Sequence, residues 1–93
     1  MTIQSFASRD TEELFRTGGN KRFGNLARPA LRRLALLDAA VALSDLRLFP
    51  SSHLEAMKGD RAGQHSIRIN DQWRVCFVWT AAGPESVKIC DYH

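Results

Sequence analysis

The sequence predicts one α+β domain, residues 1–93, with N-terminal helices packed on one face of an antiparallel β-sheet. In residues 26–41, apolar residues recur every three or four positions, which is the period of an α-helix. From residue 54 onward they alternate with polar residues, which is the period of a β-strand. Helices followed by a meander of strands indicate a two-layer fold in which the other face of the sheet stays open.

The composition favours a small cytoplasmic protein with a polyanionic partner. The net charge is +3, and the sequence pI is about 9.3. Charged residues between Arg9 and Glu13 interrupt the N-terminal stretch, so no signal-peptide pattern is present. No apolar run approaches the roughly 20 residues of a membrane span. We therefore expect a cytoplasmic protein that does not associate with a membrane.

The two cysteines do not predict a metal site. Neither Cys76 nor Cys90 has a second cysteine or a histidine at ligand spacing. Both fall in predicted strands, where cysteine most often acts as a small buried apolar residue. We expect two reduced thiols in the core, no metal and no cofactor.

The N-terminal region predicts a short strand and a short helix. Residues 3–6 alternate apolar and polar side chains and predict the strand. Asp10 or Thr11 can cap a helix that extends through Phe15. The Gly18-Gly19-Asn20 sequence breaks the chain and is the best candidate for a mobile loop.

The second helix is the longest predicted element. Pro29 belongs in the first turn of a helix, so the helix begins between Leu26 and Arg28. Ser44 or Asp45 can cap one further turn before Pro50. The helix has one apolar stripe, which is formed by Leu26, Ala30, Leu34, Leu37 and Val41. The arginines of this helix are interpreted as a solvated face. They are Arg28, Arg32 and Arg33.

Four strands are expected in the second half of the chain, and their alternation assigns side chains to the two sheet faces. The strands are residues 54–57, 65–70, 73–79 and 86–91, with turns at 58–63 and 81–85. Ile67 and Ile69 should face the helices, which places Arg68 on the open face. Val75 should likewise face the helices with Trp73 and Phe77, which places Arg74 outward.

The assignments of Arg68 and Arg74 agree only if the hairpin between them has an odd-residue loop or a bulge. We expect the odd loop. In the last strand, Val87 and Ile89 should point inward, and Lys88 and Cys90 should point away from the core.

Several segments, in order, resemble the HigB-type toxins, a branch of the RelE-like bacterial toxins. They are Leu54–Gly63 (LEAMKGDRAG), Ser66–Asn70 (SIRIN), Trp73-Arg74 and Asp91-Tyr92-His93. The resemblance covers essentially the whole chain. No segment is decisive alone, but the ordered set with Asp-Tyr-His is specific.

The resemblance implies a RelE-like fold, with helices on a curved antiparallel sheet, and the activity of a type II toxin that cleaves messenger RNA in the ribosomal A site. It implies a HigA-type helix-turn-helix antitoxin as partner, and contact with operator DNA only indirectly through that antitoxin. Some members carry a histidine near Glu55, and the nearest histidine in this chain is His53. The family's catalytic positions match Lys58, Arg74, Asp91, Tyr92 and His93.

These residue types suit metal-free RNA cleavage. Arg74 can bind a phosphate as a two-pronged donor and Lys58 as a point charge. His93 titrates near neutral pH and is the natural acid or base. Asp91 can orient it or act as the base, and Tyr92 can donate a hydrogen bond or stack on a nucleobase.

Other cations are candidates to bind RNA, and they are Arg61, Arg68, Lys21 and Arg22. For Lys21 and Arg22, exposed loop charges are the simpler interpretation. The alternative function for the whole chain is a non-catalytic basic module that binds ribosomal RNA or a protein partner.

Overall fold

The computed structural model describes residues 2–91, in which two helices precede a four-stranded antiparallel sheet. The helices are α1 (Arg9–Thr17) and α2 (Ala27–Ala39). The strands are β1 (Glu55–Ala56), β2 (His65–Arg68), β3 (Trp73–Thr80) and β4 (Gly83–Asp91), and they lie side by side in chain order. The α+β prediction is confirmed. Within residues 2–91, no helix has the length and apolar character needed to cross a membrane.

Helix α1 begins earlier than the sequence predicts, because its cap is Ser8 and not Asp10 or Thr11. Ser8 has an extended backbone, and its hydroxyl oxygen accepts a hydrogen bond from the Thr11 amide at 3.3 Å. The helix ends at Gly18, whose φ of 84° is a left-handed conformation that suits glycine. The predicted break is confirmed. Whether the Gly18–Asn20 loop is mobile stays a prediction.

The segment at residues 3–6 does not form the predicted strand. Phe6 makes an isolated parallel bridge to Val87. The amide of Ala7 donates to the Val87 carbonyl at 2.9 Å, and the Val87 amide donates to the Ser5 carbonyl at 3.1 Å. Strand β4 has a register shift at this level, where Ser86 has a φ of 54°. The irregular edge limits the pairing to a few hydrogen bonds.

Helix α2 begins at Ala27, within the predicted window, and fully buries Ala30, Leu34 and Leu37. Including Val41 in the stripe is wrong, since the helix ends at Ala39 and Val41 is 68% exposed. The Asp45 carboxylate accepts hydrogen bonds from the amides of Val41 and Ala42 at 2.9 and 3.0 Å. The prediction that Ser44 or Asp45 begins the next turn is wrong, because the 3₁₀ turn Leu43–Leu48 is capped at Ala42 and Asp45 lies inside it.

The β2–β3 hairpin has the odd loop that the sequence predicts. Ile67 pairs with Val75 and Arg68 with Arg74, while the Ile69 amide donates to the Trp73 carbonyl at 2.9 Å. The loop therefore consists of residues 70–72, and both isoleucines belong to the core as expected. The β3–β4 turn is shorter than predicted, because Gly83 already pairs with Thr80 and leaves only residues 81 and 82 between the strands.

We expect the α2 stripe to carry much of the stability. Leu34→Ala should lower the free energy of unfolding by about 2–5 kcal/mol, because it leaves a cavity among fully buried side chains. Leu48→Ala is the matched control, since Leu48 is 75% exposed and should change stability by no more than about 0.5 kcal/mol. Urea denaturation checks both, and equal losses would contradict the assignment of the core.

Candidate active site

The sheet face turned away from the helices is formed by every second residue of β2, β3 and β4. Both helices pack on the other face, where Ile67, Val75 and Ile89 join the core. Side chains alternate between the two faces of a strand, and the strand registers bring the residues that face away from the helices next to one another. This face, called the open face below, consists of Ser66 and Arg68 from β2, Arg74 and Cys76 from β3, and Lys88 and Cys90 from β4. The prediction that it stays open is wrong in part, because Ser66, Arg74, Cys76 and Cys90 are buried.

Arg74 lies on the open face, as predicted, but it is buried there and does not extend into solvent. Its side chain packs beneath the loop before β1, and the residue is only 5% exposed. The Nε atom donates to the Ser66 hydroxyl at 2.7 Å, and Nη2 donates to the His53 carbonyl at 2.5 Å. The Glu55 carboxylate lies 3.9 Å from Nη2. These contacts fix the plane of the guanidinium.

The backbone at His53 positions one of those acceptors. His53 has a φ of 45°, a left-handed conformation that histidine adopts more readily than most residues do. The preceding Ser52 is buried, and its hydroxyl donates to the carbonyls of Leu46 and Phe49 at 3.0 and 2.8 Å. The turn that presents the His53 carbonyl is therefore held by the Ser52 hydroxyl before it and by Arg74 at the carbonyl itself.

Arg68 stands directly opposite Arg74 across the hairpin. Like charges at this spacing repel, and each arginine has a nearby carboxylate. Arg68 forms an ion pair with Asp71, and Arg74 has Glu55. Arg33 donates to the Arg68 carbonyl at 2.7 Å, so assigning Arg33 to a solvated face is wrong. The open face keeps a concentration of positive charge that is partly compensated.

Lys58 precedes a 3₁₀ turn, Gly59–Arg61, and Arg61 is its last residue. Lys58 is exposed and lines a cavity of about 570 Å³ together with Glu55, Ala56 and Met57. Arg61 reaches the two cysteines, and its Nη1 lies 3.6 Å from the Cys76 sulfur. Arg61 and Arg74 both contribute positive charge at the Cys76 thiol, so these two cations lie near one another on the open face.

Cys76 and Cys90 are free thiols, as predicted, but placing them in the core is wrong, because they lie on the open face and outside the apolar core cluster. The pKa of Cys90 is lowered to about 6, first by the neighbouring Cys76 thiol and then by Arg61 and Lys88, while burial opposes the shift. The same contact, together with burial, raises the pKa of the Cys76 thiol, which keeps its proton.

Asp91 does not lie on the face that carries Arg74. It pairs with Trp73 at the end of β4 and lies two residues after Ile89, so Asp91 and Ile89 belong to the same sheet face. Its side chain is exposed and accepts a hydrogen bond from Gln72 Nε2 at 3.2 Å. Tyr92 and His93 lie outside the described residues. The predicted catalytic set is therefore brought together only in part.

Lys21 and Arg22 lie in the loop between the two helices, away from the open face. Both are exposed, and Arg22 Nη1 pairs with the Asp10 carboxylate at 3.1 Å. Within residues 2–91, no group of three or more histidine, cysteine or acidic side chains is placed to hold a metal ion.

Comparison with known proteins identifies the family. Residues 4–93 match the family described as the RelE-like toxin of the type II toxin–antitoxin system HigB. The chain belongs to the HigB-like toxins. A curated relative, Toxin HigB-1 of Vibrio cholerae serotype O1, is 48% identical over 48 residues. That match covers 52% of this chain and 50% of the relative, so the chain spans about half the relative's length.

A solved structure supports the same fold for this HigB-like toxin. The YoeB/ParE toxin from Agrobacterium tumefaciens superposes with a TM-score of 0.54, covering 100% of this chain and 99% of that one. The sequence identity is 20%, so the likeness establishes the fold alone. The RelE-like fold expected from the sequence is confirmed.

The acceptors that hold Arg74 in this HigB-like toxin were not found from the sequence. Ser66 carries a usable signal, because it lies two residues before Arg68 and therefore shares the open face. The His53 acceptor is a backbone carbonyl, and no residue type reports its direction. For the cysteines, the alternation of side chains correctly turned Cys90 away from the core, but the diagonal placement of Cys76 and Cys90 depends on the pairing of β3 with β4.

We predict that Ser66 and Arg74 are energetically coupled in this HigB-like toxin. Ser66→Ala should destabilise the fold by about 1.5–3 kcal/mol, because it removes an acceptor from a buried charged donor. In the Arg74→Met background, the same substitution should cost much less. A double-mutant cycle by chemical denaturation measures the coupling, and an additive cycle would contradict the role of the Ser66 hydroxyl.

Proposed function

We propose that this HigB-like toxin is a ribosome-dependent endoribonuclease that cleaves translated messenger RNA in the A site. The observation that carries the proposal is the fixed guanidinium of Arg74 on a cationic sheet face, beside Lys58, Arg61 and Arg68. A preorganised cation aimed at a phosphate stabilises developing charge without reorganising during the reaction. Family membership supports the same activity.

The proposed chemistry uses the RNA's own nucleophile. The 2′-hydroxyl loses its proton, attacks the adjacent phosphorus and displaces the 5′-oxygen, which takes up a proton. The products are a 2′,3′-cyclic phosphate and a 5′-hydroxyl. Arg74 and Lys58 stabilise the charge on phosphorus in this scheme. His93 transfers a proton, Asp91 orients it or acts as the base, and Tyr92 donates to or stacks on the RNA.

The ribosome is proposed to position the substrate. Few of the cations on the open face are available to a message, because Arg74 is buried and Arg68 is paired with Asp71, so the affinity of this face for RNA is expected to be low. Holding the scissile phosphate in place can supply about 7–11 kcal/mol of the barrier. The proposed setting is the cytoplasm, with Arg61, Arg68, Lys21 and Arg22 as contacts to RNA. The mechanism requires no metal or cofactor from the protein.

The proposed protein partner is a HigA-type helix-turn-helix antitoxin. Membership of a type II toxin–antitoxin family implies an antitoxin. In this proposal the toxin reaches operator DNA only through that antitoxin, because the DNA-binding helices belong to the partner.

A non-catalytic basic module is the second candidate. The engagement of Arg74 by Ser66 and by the His53 carbonyl favours it, because such contacts are also expected of a structural arginine. In this version, the chain docks on ribosomal RNA or a protein partner without chemistry.

Arg74 variants test the catalytic proposal. Arg74→Lys should lower the single-turnover cleavage rate on translating ribosomes by about 10²-fold and leave ribosome binding nearly unchanged, since the charge stays but the fork is lost. Circular dichroism checks that the variant is folded. Arg28→Ala, an exposed helix arginine, is the matched control and should cleave normally. Weaker binding with an unchanged cleavage rate would make Arg74 a docking residue.

Replacing His93 separates an enzyme from a binder. His93→Ala should lower cleavage by about 10²–10⁴-fold, which is the range for loss of positioned proton transfer. Growth arrest on induction should disappear with it, while binding to the ribosome is retained. A binding module would arrest growth equally well with either residue. His65→Ala serves as the control histidine.

A further inference from the structure

A cationic cavity on the open face has no role in the proposed reaction so far. It has a volume of about 230 Å³, and Arg61, Gln64, Ser86 and Lys88 line it together with the two cysteines. We call it the Lys88 cavity. A water molecule occupies about 30 Å³ in the liquid, so the cavity has room for a phosphate group. Within the described part of the chain, no carboxylate lines it.

Arg61 and Lys88 bring two positive charges to the Lys88 cavity. Within residues 2–91, neither of them forms an ion pair with a carboxylate. Arg61 Nη1 instead lies 3.6 Å from the Cys76 sulfur. Two cations outweigh the one negative charge that an ionised Cys90 would bring. The cavity therefore keeps a positive charge and attracts anions.

Gln64 and Ser86 add neutral hydrogen-bond donors to the walls of the cavity. The Gln64 backbone is held at both of its polar groups, because its amide donates to the Arg61 carbonyl at 3.0 Å and its carbonyl accepts from the Met57 amide at 2.8 Å. The Ser86 amide donates to the Ser5 hydroxyl at 2.9 Å. A side-chain amide and a hydroxyl beside two cations are the donor types that bind the phosphate oxygens of nucleic acids.

The strand register places the Lys88 cavity one step along the sheet from Arg74. Cys76 follows Arg74 by two residues on β3. Lys88 precedes Cys90, the pairing partner of Arg74, by two residues on β4. Two residues of a strand span about 7 Å. Neighbouring phosphates of an extended RNA strand are separated by a similar distance, so one strand can reach both places at once.

We propose that the Lys88 cavity is a phosphate subsite, which binds the phosphodiester next to the one at Arg74. The inference rests on the proposed function, because it takes RNA as the ligand. Arg61 and Lys88 bind this phosphate as charged donors, and Gln64 donates to a remaining oxygen. A positively charged track along the backbone is typical of proteins that bind single strands with little sequence preference. Two phosphate contacts, and not one, then set the position of the scissile bond.

Binding of an uncleavable strand to the intact folded protein tests the subsite. The probe is a trinucleotide with two phosphodiesters, whose 2′-O-methyl groups block the nucleophile. In the comparison strand, an uncharged methylphosphonate replaces one phosphodiester. NMR titration should show about tenfold weaker binding of the comparison strand, because charge-assisted hydrogen bonds to one phosphate are lost. The signals of the Gln64 side-chain amide should shift with the two-phosphate strand. Equal affinities for the two strands would overturn the proposal.

Variants locate the second phosphate. Lys88→Ala and Arg61→Ala should each bind the two-phosphate strand about tenfold more weakly than the wild type and should nearly lose the preference for it over the comparison strand. Arg28→Ala, which removes an exposed arginine of α2, is the matched control and should keep both affinities. Circular dichroism checks that each variant is folded. A full preference retained in Lys88→Ala and Arg61→Ala would place the second phosphate elsewhere and overturn the proposal.

Inorganic phosphate distinguishes a free anion from the message as the ligand. It should shift the same Gln64 amide signals but bind more weakly than the two-phosphate strand, because it contacts only one subsite. Binding as tight as that of the strand would assign the cavity to a free anion and overturn the proposal. None of these titrations involves cleavage, so failure of the subsite is distinguishable from failure of the proposed nuclease activity.

Discussion

The register of the β2–β3 hairpin decides which side chains can form a site in this protein. A three-residue loop pairs Ile67 with Val75 and Arg68 with Arg74. A shift of one residue in either strand would exchange core and open-face positions. Burial of the two apolar residues against the helices resists that shift, because exposing them would lose roughly 1.5–3 kcal/mol for each side chain. The apolar pair therefore fixes the two arginines on the other face, side by side despite their like charge.

Arg74 connects this sheet to the loop that precedes β1. Burial of a guanidinium costs several kcal/mol unless hydrogen bonds and an opposite charge compensate it. Here the Ser66 hydroxyl, the His53 carbonyl and the Glu55 carboxylate provide that compensation. The same contacts hold the loop against the sheet and set the orientation of the guanidinium. Stability and the geometry proposed for RNA cleavage thus depend on one side chain, which is why the Ser66 and Arg74 variants are informative for both.

Hydrophobic periodicity was sufficient to predict the layers of the fold and the two sheet faces, because burial controls both. It failed where a polar side chain captures the backbone. Ser8 begins α1 two or three residues early, and Asp45 binds the Val41 amide outside α2. The candidate site was predictable only as a list of residue types. The burial of Arg74 depends on a backbone carbonyl that leaves no trace in the residue types, and the position of Asp91 opposite Trp73 depends on the register of β4.

The central claim is that the RNA's own 2′-hydroxyl is the nucleophile and that the ribosome positions it. The most direct measurement is end-group analysis of one message incubated with the purified protein, either naked or on translating ribosomes. Efficient cleavage is expected of the translated message only, with a 2′,3′-cyclic phosphate on the upstream fragment and a 5′-hydroxyl on the downstream fragment. Equal cleavage of the naked message, or a 5′-phosphate on the downstream fragment, would contradict it.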